Sequence, residues 1–358
     1  MHRNIPKIVI TGGPCGGKTT ALAKIVAWCL EHGFYPLLSP EAATLLMESG
    51  IERDHPRFQE FIWRETQHAM QLRLEAALLY KNPVLIFDRA FADSLAYMST
   101  DGAKQLMDEF GFTIKDVRDQ FSGVIFLRTA ANGAAEHYTT ENNAKRSESA
   151  EEACATDWRT EMAWTGTPHL HLIENVPGQT FDQKINRALQ ALARTLGVPE
   201  PLEIERKFLI HDPQSIILPE SATPITIIQH YLVGNGSNER VRARGQDDNY
   251  LYFHTIKEEV APGTFIETER HISRQEYDDL MVRRDYGRQP IIKTRNCFSY
   301  NGRYCELDVF HGRREGLVML EIEVASMDET VSVPPYLGEY TEVTGKREYS
   351  NYELSLAA

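Results

Sequence analysis

Eight consecutive residues, Gly12-Gly13-Pro14-Cys15-Gly16-Gly17-Lys18-Thr19, carry the sharpest chemical signal in the sequence. They fit G-x-x-x-x-G-K-[ST], in which backbone N–H groups and a helix N-terminus wrap phosphate oxygens. Lys18 would reach the outer phosphates and Thr19 would hold Mg²⁺, while Thr20 continues the contacts into the helix. Cys15 lies where the local field favours a thiolate and where a bound nucleotide would shield it. A second signal is Asp88-Arg89, at the end of the apolar run Pro83-Val84-Leu85-Ile86-Phe87. An acid leaving a buried strand there would face the nucleotide metal, or else would cap the next helix. The third signal is a repeated two-residue spacing of charges: Glu203, Glu205 and Lys207; Arg240, Arg242 and Arg244; Glu267 and Glu269; Lys293 and Arg295; Glu306 and Asp308; Glu321 and Glu323. Residues two apart share a strand face, so each group is one face of one strand. Lys257 and Lys346 are single additions. Such faces could be the wet side of a sheet, but like charges side by side repel. Segregated acids and bases instead suit a metal-bound polyanion, with carboxylates for Mg²⁺ or Mn²⁺ and basic side chains for phosphate oxygens.

The elements that must position these groups follow from periodicity. The run Lys7-Ile8-Val9-Ile10-Thr11 is a strand entering the glycine loop, and residues 20–31 form the helix that leaves it, stopped by Gly33. A strand near 34–38, a helix opened by Glu41, and a long helix over 56–80 come next. On that long helix Phe58, Phe61, Ile62, Ala69, Leu72, Ala76 and Leu79 make the expected apolar face. The apolar runs 83–88, 123–128 and 168–173 complete a parallel sheet with helices on both faces, an α/β doubly wound architecture. A polar stretch, 138–146, could close over a phosphate and bring Arg146 to it, with Arg128 and Arg159 as weaker candidates. A helix over 181–196 ends the first domain, placed at 1–198, and Gly197-Val198-Pro199-Glu200-Pro201 is a linker. From 199 to 358 strands dominate. Asn235-Gly236 and Asn301-Gly302 signal hairpins, Pro262-Gly263 another reversal, and Ser273 to Glu276 a capping box. A two-residue loop at Asn301-Gly302 pairs Tyr300 with Arg303, and so sets Arg295 opposite Asp308 and Cys297 opposite Glu306.

The Asp-Arg pair resembles the small-molecule and nucleotide kinases of the P-loop class, where the acid serves as base or metal organiser and the arginine holds a phosphoryl group. That resemblance makes Asp88, Arg89 and Arg146 candidates for catalysis. The E-x-E-x-K run and the later R-x-R, K-x-R, E-x-D and E-x-E pairs, over residues 202–352, strongly resemble the CYTH family of triphosphate tunnel metalloenzymes. This implies an eight-stranded antiparallel tunnel that binds an inorganic or organic triphosphate with a divalent metal. It implies Glu203, Glu205, Glu321 and Glu323 as metal-binding acids, assisted by Asp308 and Glu269. It also implies Lys207, Arg240, Arg242, Lys257, Arg295 and Lys346 as phosphate-binding bases, with Lys207 or Lys346 able to orient the attacking water. The tandem order, an AAA-like or nicotinamide-riboside-kinase-like domain before a CYTH domain, is similar to the family of the TRP translocation defect protein.

The chain has 358 residues, 42% hydrophobic and 25% charged, enough for two domains that each bury a core. A formal net charge of -13 sets its field against nucleic acid and against anionic membrane surfaces, so any phosphate ligand needs a concentrated basic site. No apolar run nears the roughly 20 residues of a membrane span. Five scattered cysteines, Cys15, Cys29, Cys154, Cys297 and Cys305, form no zinc pattern and fit a reducing, cytoplasmic setting. No N-K-x-D motif argues for a conventional GTPase, and the sequence does not choose between ATP and GTP. The expectation is a Mg²⁺-dependent nucleotide-handling enzyme with a second, triphosphate-hydrolysing site. The competing class is a nucleotide-gated receptor whose tunnel captures a polyphosphate or phosphoinositide headgroup.

Overall fold

A computed structural model describes residues 5–134, 149–198, 202–234, 238–246, 249–324 and 326–356. It divides into two compact units, Met1–Thr195 and Leu196–Ala358. The 138–146 stretch with Arg146, the Asn235-Gly236 turn and linker residues 199–201 lie outside the described residues.

The first unit runs β1 (Lys7–Thr11), α1 (Lys18–Glu31), β2 (Tyr35–Ser39), α2 (Ala42–Glu48), α3 (Phe58–Ala77), β3 (Pro83–Asp88), α4 (Phe91–Leu95), α5 (Thr100–Phe110), α6 (Ile114–Arg118), β4 (Gly123–Leu127), α7 (Ala150–Trp164), β5 (Leu170–Ile173) and α8 (Phe181–Leu196). Its five strands are all parallel, in the order β2-β3-β1-β4-β5. The three inner strands are sealed on both faces, which is why they read as unbroken apolar runs. The loops that carry chemistry leave their C-terminal ends, where an open parallel sheet binds ligands.

The long helix is rotated from the expected face. It buries Phe58, Trp63, Thr66, Ala69, Met70 and Ala77, whereas Leu72 is 54% and Leu79 82% exposed. Trp63 decides the rotation: its indole is fully buried against Phe91, Phe110 and Phe112, and Nε1 donates to the Phe91 carbonyl. Burying so large a ring outweighs several leucine contacts. Two helices that hydrophobic spacing missed, α5 and α6, are announced by their caps. Ser99 accepts from Gly102 N at 3.2 Å, and the Asp116 carboxylate accepts from Thr113 N at 2.7 Å.

The second unit comprises β6 (Leu202–Ile210), β7 (Thr223–Tyr231), β8 (Asn238–Gln246), β9 (Asn249–Ala261), β10 (Thr264–Ile272), α9 (Arg274–Met281), β11 (Ile291–Tyr300), β12 (Arg303–Phe310), β13 (Val318–Glu323), β14 (Tyr340–Glu342) and α10 (Asn351–Leu354). Eight antiparallel strands close into a barrel in the order β6-β10-β9-β8-β7-β11-β12-β13, with β13 returning to β6. The start of β6 pairs with β10, and its far end pairs with the short β14. Asn301 and Gly302 both hold positive φ, 47° and 71°, as a two-residue hairpin loop needs. Tyr300 pairs with Arg303 and Arg295 with Asp308, the register expected from the turn. Apolar residues on the outer side are covered rather than left wet. Phe208, Leu307, Leu320 and Ile322 pack under Leu337, while Val241 and Ile272 pack under Tyr277 of α9.

Candidate functional site

The glycine loop is shaped by contact with the end of β4. Gly12 sits at φ 130°, and a Cβ there would lie 2.0 Å from the Leu127 carbonyl oxygen; at Gly17, φ 92°, a Cβ would run into the Phe181 ring. Only glycine meets both demands, backbone and space. Lys18 donates to the carbonyls of Gly12 and Gly13 at 3.3 and 3.4 Å, lying back along its own loop. Pro14 and Gly16 are buried, Cys15 is partly so at φ 55°, and Thr19 and Thr20 are exposed at the start of α1. Burial, reinforced by Arg89, lowers the Lys18 ammonium to about 8.

Behind the loop, Asp88 and Arg89 stand at the end of β3. Asp88 Oδ1 is buried without a hydrogen-bond partner among the described residues, and burial pushes its carboxyl up to about 6 against the pull of Lys18. Arg89, at φ 64°, is held by Glu41 and Asp93, each at 2.9 Å. Asp93 is itself a hub, accepting from Thr11 Oγ1, from Ala90 N at 2.9 Å and from Trp164 Nε1 at 3.2 Å. Asp88 therefore does not serve as the cap of the next helix; Asp93 does. Sequence reasoning passed over Asp93, and used Glu41 only as a helix start. An orphaned, hard oxygen within electrostatic reach of the Lys18 ammonium has the chemistry of a divalent-cation ligand. Arg128 is committed to carboxylates, whereas Arg159 is exposed on α7 with only neutral acceptors among the described residues. Arg128 meets Asp157, Glu161 and Glu174, each at 2.6 Å, and Arg159 donates to Ala96 O at 3.0 Å.

The charged faces of the second unit all turn into the barrel. Strand register sets Glu321 beside Lys207, Glu323 beside Glu205, Glu267 beside Lys257, and Glu269 beside Thr255. Asp308 is fully buried, accepting from Arg295 twice at 2.7 Å and from Lys293. Arg295 also donates to Glu321 at 2.5 Å and to Glu306. Lys207 bridges Glu321 at 2.7 Å and Glu205 at 3.0 Å. Lys257 joins Glu205, Glu203 at 2.5 Å and Glu267 at 3.2 Å. Arg240 meets Glu267 at 3.0 Å, and Arg242 meets Glu269 at 2.8 Å. The result is a continuous chain of alternating charge around the lumen. At one mouth, Lys207, Lys257 and Glu205 join Lys346, Arg347 and Tyr349 around a cavity of about 330 Å³. Lys346 and Glu323 lie exposed, away from the most buried charges.

This pairing fixes protonation. Burial opposes the charge of Glu205, but Lys207 and Lys257 prevail and hold it at about 2. Lys207 is in turn raised above the usual lysine range, because Glu205 and Glu321 outweigh its burial. It stays an ammonium, suited to donating rather than to taking a proton. Glu203 moves the other way, raised by desolvation and by the nearby carboxylates of Glu205 and Glu267. Among the described residues no three acidic, histidine or cysteine side chains converge on a point that would hold a metal ion, because each acid leans on a base. The donor set is nonetheless all carboxylate oxygen, and Glu205 Oε2 has the ion pair with Lys207 at 3.0 Å but no hydrogen bond, so its chemistry fits a hard divalent cation. Lys293 and Glu306, noticed as face-mates of assigned residues, belong to the same network.

Residues 7–183 match a family model described as an AAA domain. An inorganic triphosphatase of Nitrosomonas europaea is 31% identical over 167 residues, covering 43% of this chain and 97% of that protein. The chain belongs to the inorganic triphosphatase family. Another inorganic triphosphatase, from Acetivibrio thermocellus, is 31% identical over 155 residues, 42% of this chain and 92% of that protein. A crystal structure of an inorganic triphosphatase aligns at 31% identity over 44% of this chain and 95% of its own, with a TM-score of 0.33. Among the described residues no helix is long and apolar enough to cross a membrane.

Proposed function

We propose that the barrel hydrolyses a triphosphate with the help of a divalent metal, and that the first unit binds ATP or GTP with Mg²⁺. The observation that carries the first part is the closed lumen, where acids and bases alternate in direct contact instead of facing water. A linear triphosphate is a string of anions, and Lys207, Arg240, Arg242, Lys257, Arg295 and Lys346 match it as donors. Glu203, Glu205, Glu321 and Glu323, with Glu269 assisting, would hold Mg²⁺ or Mn²⁺. A cation there supplies neutralisation of phosphate oxygens and orientation of the chain. Asp308, locked under Lys293 and Arg295, sets the Arg295 guanidinium toward the lumen. Water attacks the terminal phosphorus as the bridging P–O bond breaks, its bonding pair leaving on the diphosphate oxygen; the water oxygen ends on orthophosphate and its proton passes to solvent. The permanently charged Lys207 and Arg295 stabilise the charge that grows on the leaving oxygen.

The nucleotide reading rests on the glycine loop, Lys18 and the orphaned Asp88 oxygen, with Arg89 turned toward the same place. The order of the units supports the resemblance to the TRP translocation defect protein family. Phosphate release from tripolyphosphate, ATP and GTP by the full chain, with and without Mg²⁺ or Mn²⁺, tests both parts. Metal-dependent release that is lost in Glu205→Gln but kept in Lys18→Ala is the expected result. Tight tripolyphosphate binding with no release would make the barrel a receptor instead.

A further inference from the structure

The glycine loop is held from outside its own motif. Asp157, on α7 and almost wholly buried, accepts the Gly13 N–H on Oδ1 at 2.7 Å, and the same oxygen accepts Thr129 N at 2.9 Å. Its other oxygen pairs with Arg128 at 2.6 Å. The contact is close from the loop side as well, since a Cβ on Gly13 would stand 2.4 Å from Asp157 Oδ1. Thr129, which Asp157 fixes, donates its hydroxyl to the Pro14 carbonyl, so two consecutive loop residues are tied to one point. A carboxylate beside an anion site would ordinarily repel the ligand. Here Asp157 is pinned by Arg128, which also meets Glu161 and Glu174, with the Lys184 ammonium as a second nearby positive charge, so the acid is held as a fixed acceptor.

Resting on the reading of this loop as a nucleotide site, we propose that Asp157 is a positioning residue for nucleotide binding. By taking the Gly13 N–H inward it sets the curvature that leaves the later loop amides and Lys18 facing phosphate. Pre-organisation of this kind lowers the cost of binding without adding a contact to the ligand. Nothing in G-x-x-x-x-G-K-[ST] specifies it, because the acceptor lies on a separate helix.

The test uses the full chain and two readouts: hydrogen exchange of the loop amides without nucleotide, and titration calorimetry with Mg·ATP and Mg·GTP. Asp157→Ala should speed loop exchange and weaken nucleotide binding by about tenfold, the scale of one lost charge-assisted hydrogen bond. Asp157→Asn keeps an acceptor oxygen and should restore most of both. Gly13→Ala, which displaces the carboxylate from the other side, should reproduce the alanine defect. Wild-type loop exchange in Asp157→Ala overturns the proposal. So does an asparagine variant as impaired as the alanine one, since the acid would then matter only as a partner of Arg128. If Asp157→Ala does not fold, the other two variants decide. Should the wild type bind neither nucleotide, the nucleotide reading fails, and loop exchange alone judges the role of Asp157.

Discussion

In the function proposed above, the glycine loop would take its phosphate contacts from consecutive backbone amides and one lysine, whereas the barrel takes its charges from side chains on strands between Glu203 and Glu323. In the loop, geometry does the selecting: Leu127, Phe181 and Asp157 leave room for glycine and little else. In the barrel, balance does it: each acid is matched to a base, and β7, which turns Ile225, Ile227 and Gln229 inward, is a strand without an inward charge. The loop's own amide donors are main-chain groups that no side-chain truncation removes, whereas deleting one member of the charge network leaves a buried partner uncompensated. The two sites should therefore fail independently and differently.

The largest effect expected is a double dissociation. Glu205→Gln and Glu321→Gln should lower tripolyphosphate turnover at least about a hundredfold, the usual scale for losing a transition-state contact, and leave nucleotide affinity unchanged. Lys18→Ala should do the reverse, read by phosphate release and calorimetry on the same preparations. A variant that damaged both sites equally would break the comparison. Next in size is Asp308→Ala, which leaves the buried Lys293 without its carboxylate and Arg295 with only Glu306 and Glu321, and should cost about 3–5 kcal/mol in urea unfolding of the second unit.

A third test separates the sites by pH. The Asp88 carboxyl is raised from 3.8 to about 6, so it takes a proton more readily in the folded chain. Metal–nucleotide affinity should then weaken as pH falls through about 6. Glu205 and Glu267 are lowered from 4.5 to about 2, so the stability they confer is full above 4.5, declines as pH falls from 4.5 and is gone once pH has fallen through about 2. Calorimetry at the loop and unfolding of the barrel across this range check the offset; coincident profiles would contradict it. The smallest effect is Thr129→Val, which removes one hydroxyl contact to Pro14 and should cost about 1 kcal/mol of stability, with a modest loss of nucleotide affinity.

What could be read from the sequence follows the same division. The loop was legible because its ligands are consecutive, and the barrel because two-residue spacing and one Asn-Gly turn determine both face and register. Asp157, Asp93 and Glu41 were not legible as site residues, since each reaches the loop or Arg89 from an element whose approach no local pattern encodes. The face of α3 was misread because several apolar residues shared similar spacing and only packing singled out Trp63. Exposure of Lys346 and Glu323 was hidden too, because spacing gives the face of a strand but not the depth of a residue within a lumen.

The seam where β6 meets β10 has a consequence for how the chain folds. Only three residue pairs close the ring there, between segments some sixty positions apart, and β6 must wait still longer for β13. Contacts so distant in sequence form late and slowly, so a growing chain passes through an open, unclosed sheet. Such a sheet would invite pairing with another copy along its free edges. The inward charges oppose this, because stacking on that face would desolvate Arg240, Arg242, Glu267 and Glu269 against an uncharged partner surface. The side chains proposed to receive a polyphosphate would thus also disfavour pairing of the nascent barrel with another copy.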